Sequence, residues 1–477
     1  MPMPTLLTRR IPLTLASLFA LTIAATYARA EMTLHPVVND MPPTEKPYQL
    51  VYVGDDSHVQ PALRNSVYAA SFGSTSGPQG EARLNSDNPE LPLSERFAVE
   101  GYARFIQIKD DGSVTRWDVN DYPAKASAGE SKHGSASDFA AFLAHYNTPS
   151  AKPLSVLNYL QPLHSIDYHA GKLMGQQTFI GRYVVWDMSK PAAAQSGHGV
   201  LTADSVNVSA GSVFNHWKEV RVRQAKFSPN GDAIYGVVRS EEEDPASKEF
   251  KADLTYFPTR DIYQHKALER RTVKNASTGH ALFMTPNAIY TGGKDFRRVD
   301  IATGKVTRYR LPEHSDFGSE PPAFLNMLVD DAHHTLYAVN SRDIDPDETG
   351  ATSYTAYLAK FTDFAKAHRH GLYVFNINSD NSLTLSHYVP MIQPIELVLT
   401  RDGSTLFVND RMARTVTAYN PRTLETKGSV ATTCHNSNLA QGAGNSLYVT
   451  SVYTYQLHLI GAGEHDCNSI DKISYQF

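Results

Sequence analysis

Residues 394–430 read PIELVLTRDGSTLFVNDRMARTVTAYNPRTLETKGSV, and this stretch decides the fold. Residues 395–400 are a short apolar run, suited to a strand buried on both faces. Arg401, Asp402 and Gly403 supply turn chemistry, with Gly free to take positive φ. Residues 405–409 are β-branched and aromatic and read as a second strand. Residues 415–419 alternate as a third strand, Asn420, Pro421 and Arg422 turn the chain again, and residues 426–430 make a fourth. Four short antiparallel strands in about 40 residues form one propeller blade.

Six weaker copies lie on the same pattern. Phe227-Ser228-Pro229-Asn230-Gly231 leads into the strand at 233–237, and Thr285-Pro286-Asn287 into 288–290. Asp330-Asp331 leads into 335–340, and Gly442–Gly444 into 446–450. Fainter second strands sit at 66–70 and 172–175. The repeat resembles the YVTN-type propeller repeat, roughly S-P-D-G-x-x-L-Y-V-T-N, a strand, then D-x-x-T-G-K-V. Val299-Asp300-Ile301-Ala302-Thr303-Gly304-Lys305-Val306 carries the second half of that pattern. The resemblance covers most of residues 48–477 and implies an all-β, seven-bladed propeller of the secreted, lactonase-like kind.

The ends of the 477-residue chain complete this expectation. Residues 1–30 have a charged start (Arg9, Arg10), an apolar core and the small-x-small site Ala28-Arg29-Ala30, so a signal peptide cleaved after Ala30 is expected. The address is then a bacterial periplasm or the medium, with no membrane span in the mature chain. Residues 31–47 read as an extended leader and residues 48–477 as a single propeller. Closure is expected from residues 49–53 pairing into the last blade beside 472–475. Insertions are expected near 74–92, 118–153, 240–251 and 341–370. Residues 137–146 within the second read as a short helix capped by Ser137. The acidic run at 241–244 reads as a solvated loop. If the insertions share a face, that face is the binding face.

Without the leader's three arginines, 41 basic residues face 49 acidic ones. No basic cluster stands out, so nucleic acid is not an expected partner. The two cysteines, Cys434 and Cys467, are expected to bridge in an oxidising compartment. That pairing is in tension with a plain four-stranded register, which sets them at opposite ends of a blade.

Propellers bind at the mouth of the channel, where each inner strand enters. Counting back ten or eleven residues from the aromatic residue of each second strand (Met174 standing in for it in one blade) gives a ring of His58, His164, Gln224, His280, Asn326, Glu396 and Asn438. His58, His164, His280 and Glu396 include the donor types of a divalent metal site. Glu396 and His280 are the candidates for acid–base catalysis. Wet channel mouths also carry polar residues with no ligand. Asp343, Asp345 and Asp347 have the start of a calcium-loop spacing, but Glu348 stands where that loop needs Gly. His333, His334, His368 and His370 read as solvated turn histidines. No G-x-S-x-G elbow, C-x-x-C-H or post-strand G-x-G-x-x-G is present.

Three functions fit. The first is a non-enzymatic scaffold binding a protein or small ligand at a channel face. The second is a metal-dependent lactonase or lyase with its site at the channel mouth. The third is the large subunit of an amine-dehydrogenase-like quinoprotein, whose cofactor lies in a small partner subunit. The first is preferred, because the repeats specify a scaffold and no catalytic motif is complete.

Overall fold

A computed structural model describes residues 31–39, 41, 46–71, 104–119, 163–177, 182–201, 204–207, 221–243, 250–260, 271–277, 279–318, 321–452 and 454–477. The short strands assemble into seven antiparallel blades. Their inner strands are Pro47–Val53, Ser165–His169, Arg221–Phe227, Ala281–Thr285, Phe324–Asp330, Pro394–Leu399 and Asn436–Gln441, blades 1 to 7 in order. Each inner strand packs beside the next and the last beside the first, so the ring closes around a channel.

Between blades the faces are apolar. Leu328, Tyr337 and Val339 of blade 5 meet Leu397, Leu406 and Val408 of blade 6. Val237 and Leu254 of blade 3 meet Leu282, Ile289 and Val299 of blade 4. Trp186 of blade 2 is buried against Tyr68, Phe105 and Trp117 of blade 1. Each such side chain contributes about 1.5–3 kcal/mol of burial, so the blades cohere largely through side chains, while the strand-ladder hydrogen bonds stay within each sheet.

N- and C-terminal strands close the ring, as expected, but the N-terminal strand is a different one. Residues 49–53 do not pair into the last blade; they lie in the inner strand of blade 1, against Ser66–Ser71. Glu31–Val38 is no extended leader: it is the outermost strand of blade 7, paired antiparallel to Ser469–Gln476. The C-terminal strand is therefore third in its blade, and the N-terminal one covers its free edge. This also resolves the cysteine tension. Asn436, Ser451 and Ser469 align across the sheet. Cys434 and Cys467, each two residues earlier, thus reach the same end and form a disulfide, with Cα atoms 5.8 Å apart.

The acidic run also differs. Glu241–Glu243 continue a long second strand, Ala233–Glu243, whose partner Phe250–Pro258 returns beside it. A further hairpin, Ala194–Gln195 and His198–Leu201, extends the outer edge of blade 1. Residues 341–370 carry helices α1 (Pro346–Thr349) and α2 (Tyr354–Ala367). Ser353 caps α2, its hydroxyl accepting from the Ala356 N–H (3.3 Å). The buried face of α2, Tyr357 and Phe361, packs on Met412 of blade 6 and on Leu457 of helix α3 (Tyr455–Leu459). The helix expected at 137–146, the insertion at 74–92 and the signal peptide lie outside the described residues. Among the described residues, no helix is long and apolar enough to cross a membrane.

Inner strands begin on one face of the ring and end on the other. The connections at residues 72–103, 120–162, 341–370 and 452–468 all join strand ends on the face where inner strands begin. Tight turns such as 110–113 and 401–404 lie on the opposite face, where the connection at 188–203 also joins two strand ends.

Candidate functional site

The channel residues are set by a recurring irregularity. In five inner strands one extra residue bulges near the entry: blades 1, 3, 5, 6 and 7. A bulge turns a side chain away from its alternating position and leaves backbone N–H groups off the ladder. The channel-lining residues at these positions are Gln49, Gln224, Asn326, Glu396 and Asn438. Blades 2 and 4 pair without a shift, and there the lining residues are Ile166 and Leu282. Polar side chains thus enter the channel where the backbone bulges.

They are used to hold blades together. An inner strand is an edge, and its free N–H groups need acceptors. Gln49 Oε1 accepts from the Ile166 N–H (3.4 Å), and Gln224 Oε1 from the Leu282 N–H (2.9 Å). Asp167 Oδ2 accepts from the Phe227 N–H (2.7 Å), and Asn326 Nδ2 donates to Glu396 Oε1 (2.6 Å). The final residue of the repeat's second strand clamps the bulge itself. Asn409 Oδ1 accepts from the Glu396 N–H (2.7 Å), while its Nδ2 donates to the Ser437 carbonyl (2.9 Å). Thr450 Oγ1 accepts from the Asn438 N–H and donates to the Tyr48 carbonyl, both at 3.0 Å.

Four of the seven ring candidates, Gln224, Asn326, Glu396 and Asn438, therefore converge on one cavity of about 380 Å³. Three do not line it. His58 lies in the turn after the inner strand of blade 1, exposed, its Nδ1 2.8 Å from Asp56. His164 is buried just before the inner strand of blade 2 and packs on Tyr48, with ring centroids 4.4 Å apart. His280 is half-buried just before that of blade 4. The residues the count missed are Gln49 and Ile166, in place of His58 and His164, and Leu282, in place of His280.

Glu396 is half-buried, its open side lining the cavity. Burial raises its carboxyl from 4.5 to about 7, against the pull of the Leu397 N–H, Lys226 and Asn326. Lys226, two residues after Gln224, lines the same cavity and makes no ion pair within 4.0 Å among the described residues. Asp167, which also interacts electrostatically with Lys226, is likewise held above the usual carboxylate range by burial. One carboxyl able to give or take a proton near neutrality thus shares a channel with one ammonium.

Among the described residues, no three His, Cys, Asp or Glu side chains lie close enough to share a metal ion. His58, His164, His280 and Glu396 are not brought together. The aspartates near 345 do not form a calcium loop either: Asp345 precedes α1, and Asp343 accepts from Gln393. His370 is not solvated. It is buried, its Nε2 accepting from the Arg342 N–H (3.1 Å) and its Nδ1 donating to the Ile392 carbonyl (2.8 Å).

No family model and no curated protein sequence matches this chain. Solved structures do show likeness. The Cps50 (Swd1) β-propeller domain of Myceliophteria thermophila has a TM-score of 0.49 at 8% identity, over 93% of this chain and 99% of that one. Virginiamycin B lyase from Staphylococcus aureus gives 0.48 at 10%, over 93% and 99%. A proposed 6-phosphogluconolactonase from Bacteroides fragilis gives 0.45 at 11%, over 85% and 96%. Likeness of this degree says nothing about chemistry.

Proposed function

We propose that this chain is an exported, YVTN-type propeller that binds a protein or small ligand at one face of its ring and is not itself a catalyst. One observation carries the reading: the four longest connections, at 72–103, 120–162, 341–370 and 452–468, all join strand ends on the same face. Loops gathered on one side of a rigid ring are the usual carriers of recognition. The disulfide fits an oxidising compartment. The polar channel groups favour the same reading, because most are engaged in joining blades.

Capture with face-specific variants tests it. Leu459 (63% exposed) and Asp363 lie on the elaborated face, and Lys305 lies in a turn of the opposite face. A partner captured by the tagged chain should be lost with Leu459→Asp or Asp363→Lys and retained with Lys305→Glu. Equal loss from both faces would remove the argument.

A hydrolase or lyase is the second reading, favoured by Glu396 poised near neutrality beside Lys226 in the channel. It predicts turnover abolished by Glu396→Gln, with binding at the elaborated face unchanged. The donor geometry gives no support to a metal at the ring.

A further inference from the structure

Where α2 ends, the chain makes a turn that ordinarily calls for glycine. The His370 N–H donates to the Ala365 carbonyl (2.9 Å) and the Arg369 N–H to the Lys366 carbonyl (3.2 Å). These are the two hydrogen bonds of a Schellman cap, whose left-handed position is usually Gly. Here Arg369 occupies it, at φ 45°. The turn is locked in place. The Arg369 carbonyl accepts from the Tyr373 hydroxyl (2.8 Å) and Asn340 Nδ2 (3.1 Å), and the His370 carbonyl accepts from the Tyr388 hydroxyl (2.9 Å). None of these bonds needs the arginine side chain, so glycine would serve the fold at lower conformational cost.

The side chain has a definite setting of its own. The guanidinium lies over the Tyr388 ring, its Cζ 4.6 Å from the centroid. Its Nε is buried and makes no hydrogen bond. Among the described residues no carboxylate lies within 4.0 Å of it. It borders a cavity of about 470 Å³ walled by Tyr388, Pro390, Met391 and Ile392. Asp410 also borders the cavity, but its oxygens accept from the Ile392, Gln393 and Ala413 N–H groups at 2.7–3.1 Å. His370 is kept neutral by burial, with its Nε2 accepting from the Arg342 N–H.

We propose that this cavity, apart from the channel, binds a small organic monocarboxylate. The Arg369 fork pairs with the carboxylate, and the apolar body rests on Tyr388, Pro390 and Met391. A planar guanidinium with an unpaired Nε–H matches a carboxylate. Apolar walls favour a ligand with a hydrocarbon body over a bare inorganic ion. Lys366 also borders the cavity, but it is exposed and paired with Asp363 (3.6 Å). Arg369 is therefore the one cation there held against the apolar wall, and with Asp410 nearby this favours a single negative charge. The site stands whether or not the elaborated face also holds a macromolecule.

Calorimetric titration of the full chain with benzoate, and with benzyl alcohol as its uncharged counterpart, tests the site. Saturable one-to-one binding of benzoate, at least tenfold tighter than benzyl alcohol, is expected. Arg369→Gly should weaken benzoate at least tenfold while leaving Tm equal or raised, since it relieves the left-handed strain. Met391→Trp, which fills the cavity and leaves Arg369 in place, should also abolish binding. No benzoate binding by the parent chain, equal binding of the alcohol, or undiminished binding by either variant would overturn the proposal. So would a marked fall in Tm with Arg369→Gly, which would make the stacked arginine a packing element.

Discussion

Replacing Glu396 with Gln keeps both hydrogen bonds to Oε1, from Asn326 Nδ2 (2.6 Å) and the Leu397 N–H (3.1 Å), and removes only the ionisable proton. In the folded chain the carboxyl titrates at about 7 instead of 4.5. Below pH 4.5 both folded and unfolded states hold the proton, and the site is silent. Between 4.5 and about 7 only the folded state holds it, so folding takes up a proton and stability falls as pH rises. Above 7 the whole penalty is present, about 3 kcal/mol at about 1.4 kcal/mol for each pH unit. Urea unfolding of both proteins at pH 5 and pH 8 reads this directly. The stability difference, variant minus parent, should move by about 2.5 kcal/mol in the variant's favour between the two conditions, part of the penalty being present already at pH 5. Asp466 and Asp471, also raised by burial to about 6, affect both proteins equally and cancel. Parallel pH profiles would show the carboxyl to be solvated in the channel and would refute the burial argument.

Three further outcomes follow from the ring's construction. Replacing Cys434 and Cys467 with Ser opens a loop with a sequence separation of 33, and should cost about 4 kcal/mol in denaturant unfolding. Asn409→Ala strands the Ile395 and Glu396 N–H groups and the Ser437 carbonyl at a fully buried position, and should cost about 3 kcal/mol. Deleting residues 31–41 removes Met32, Leu34 and Met41 from the seam of blade 7 and bares the edge of Ser469–Gln476. A loss on the order of 5 kcal/mol and concentration-dependent association in light scattering are expected.

The blades were legible because turn and second-strand chemistry repeats, from Ser228-Pro229-Asn230-Gly231 to Thr400-Arg401-Asp402-Gly403. The ring was legible only where strand entries share one geometry. Counting back ten or eleven residues finds Gln224, Asn326, Glu396 and Asn438 because their strands carry a bulge. Blades 2 and 4 lack the bulge and join their first two strands by two-residue turns, at 170–171 and 286–287, so the count oversteps Ile166 and Leu282 by two and lands on His164 and His280. In blade 1 the long connection after Val53 puts the same count at His58, beyond the strand altogether. The closing N-terminal strand is hidden because Pro42, Pro43 and Pro47 follow Glu31–Val38 and make the segment read as an extended leader, and its pairing partner lies at the other end of the chain. Asn409 and Thr450 carried a signal, since each ends the repeat's second strand, but its clamping role needs the bulge to be seen. Arg369 carried none: its left-handed backbone arises from the end of α2 and is invisible in residue type.

Site-specific photo-crosslinking in the host cell tests the central claim most directly. A photoreactive residue at Leu459, on the elaborated face, and one at Lys305, among the tight turns, would be compared. The account predicts a discrete adduct from position 459 and none from 305. An adduct from 305 alone, or equal adducts from both, would contradict it.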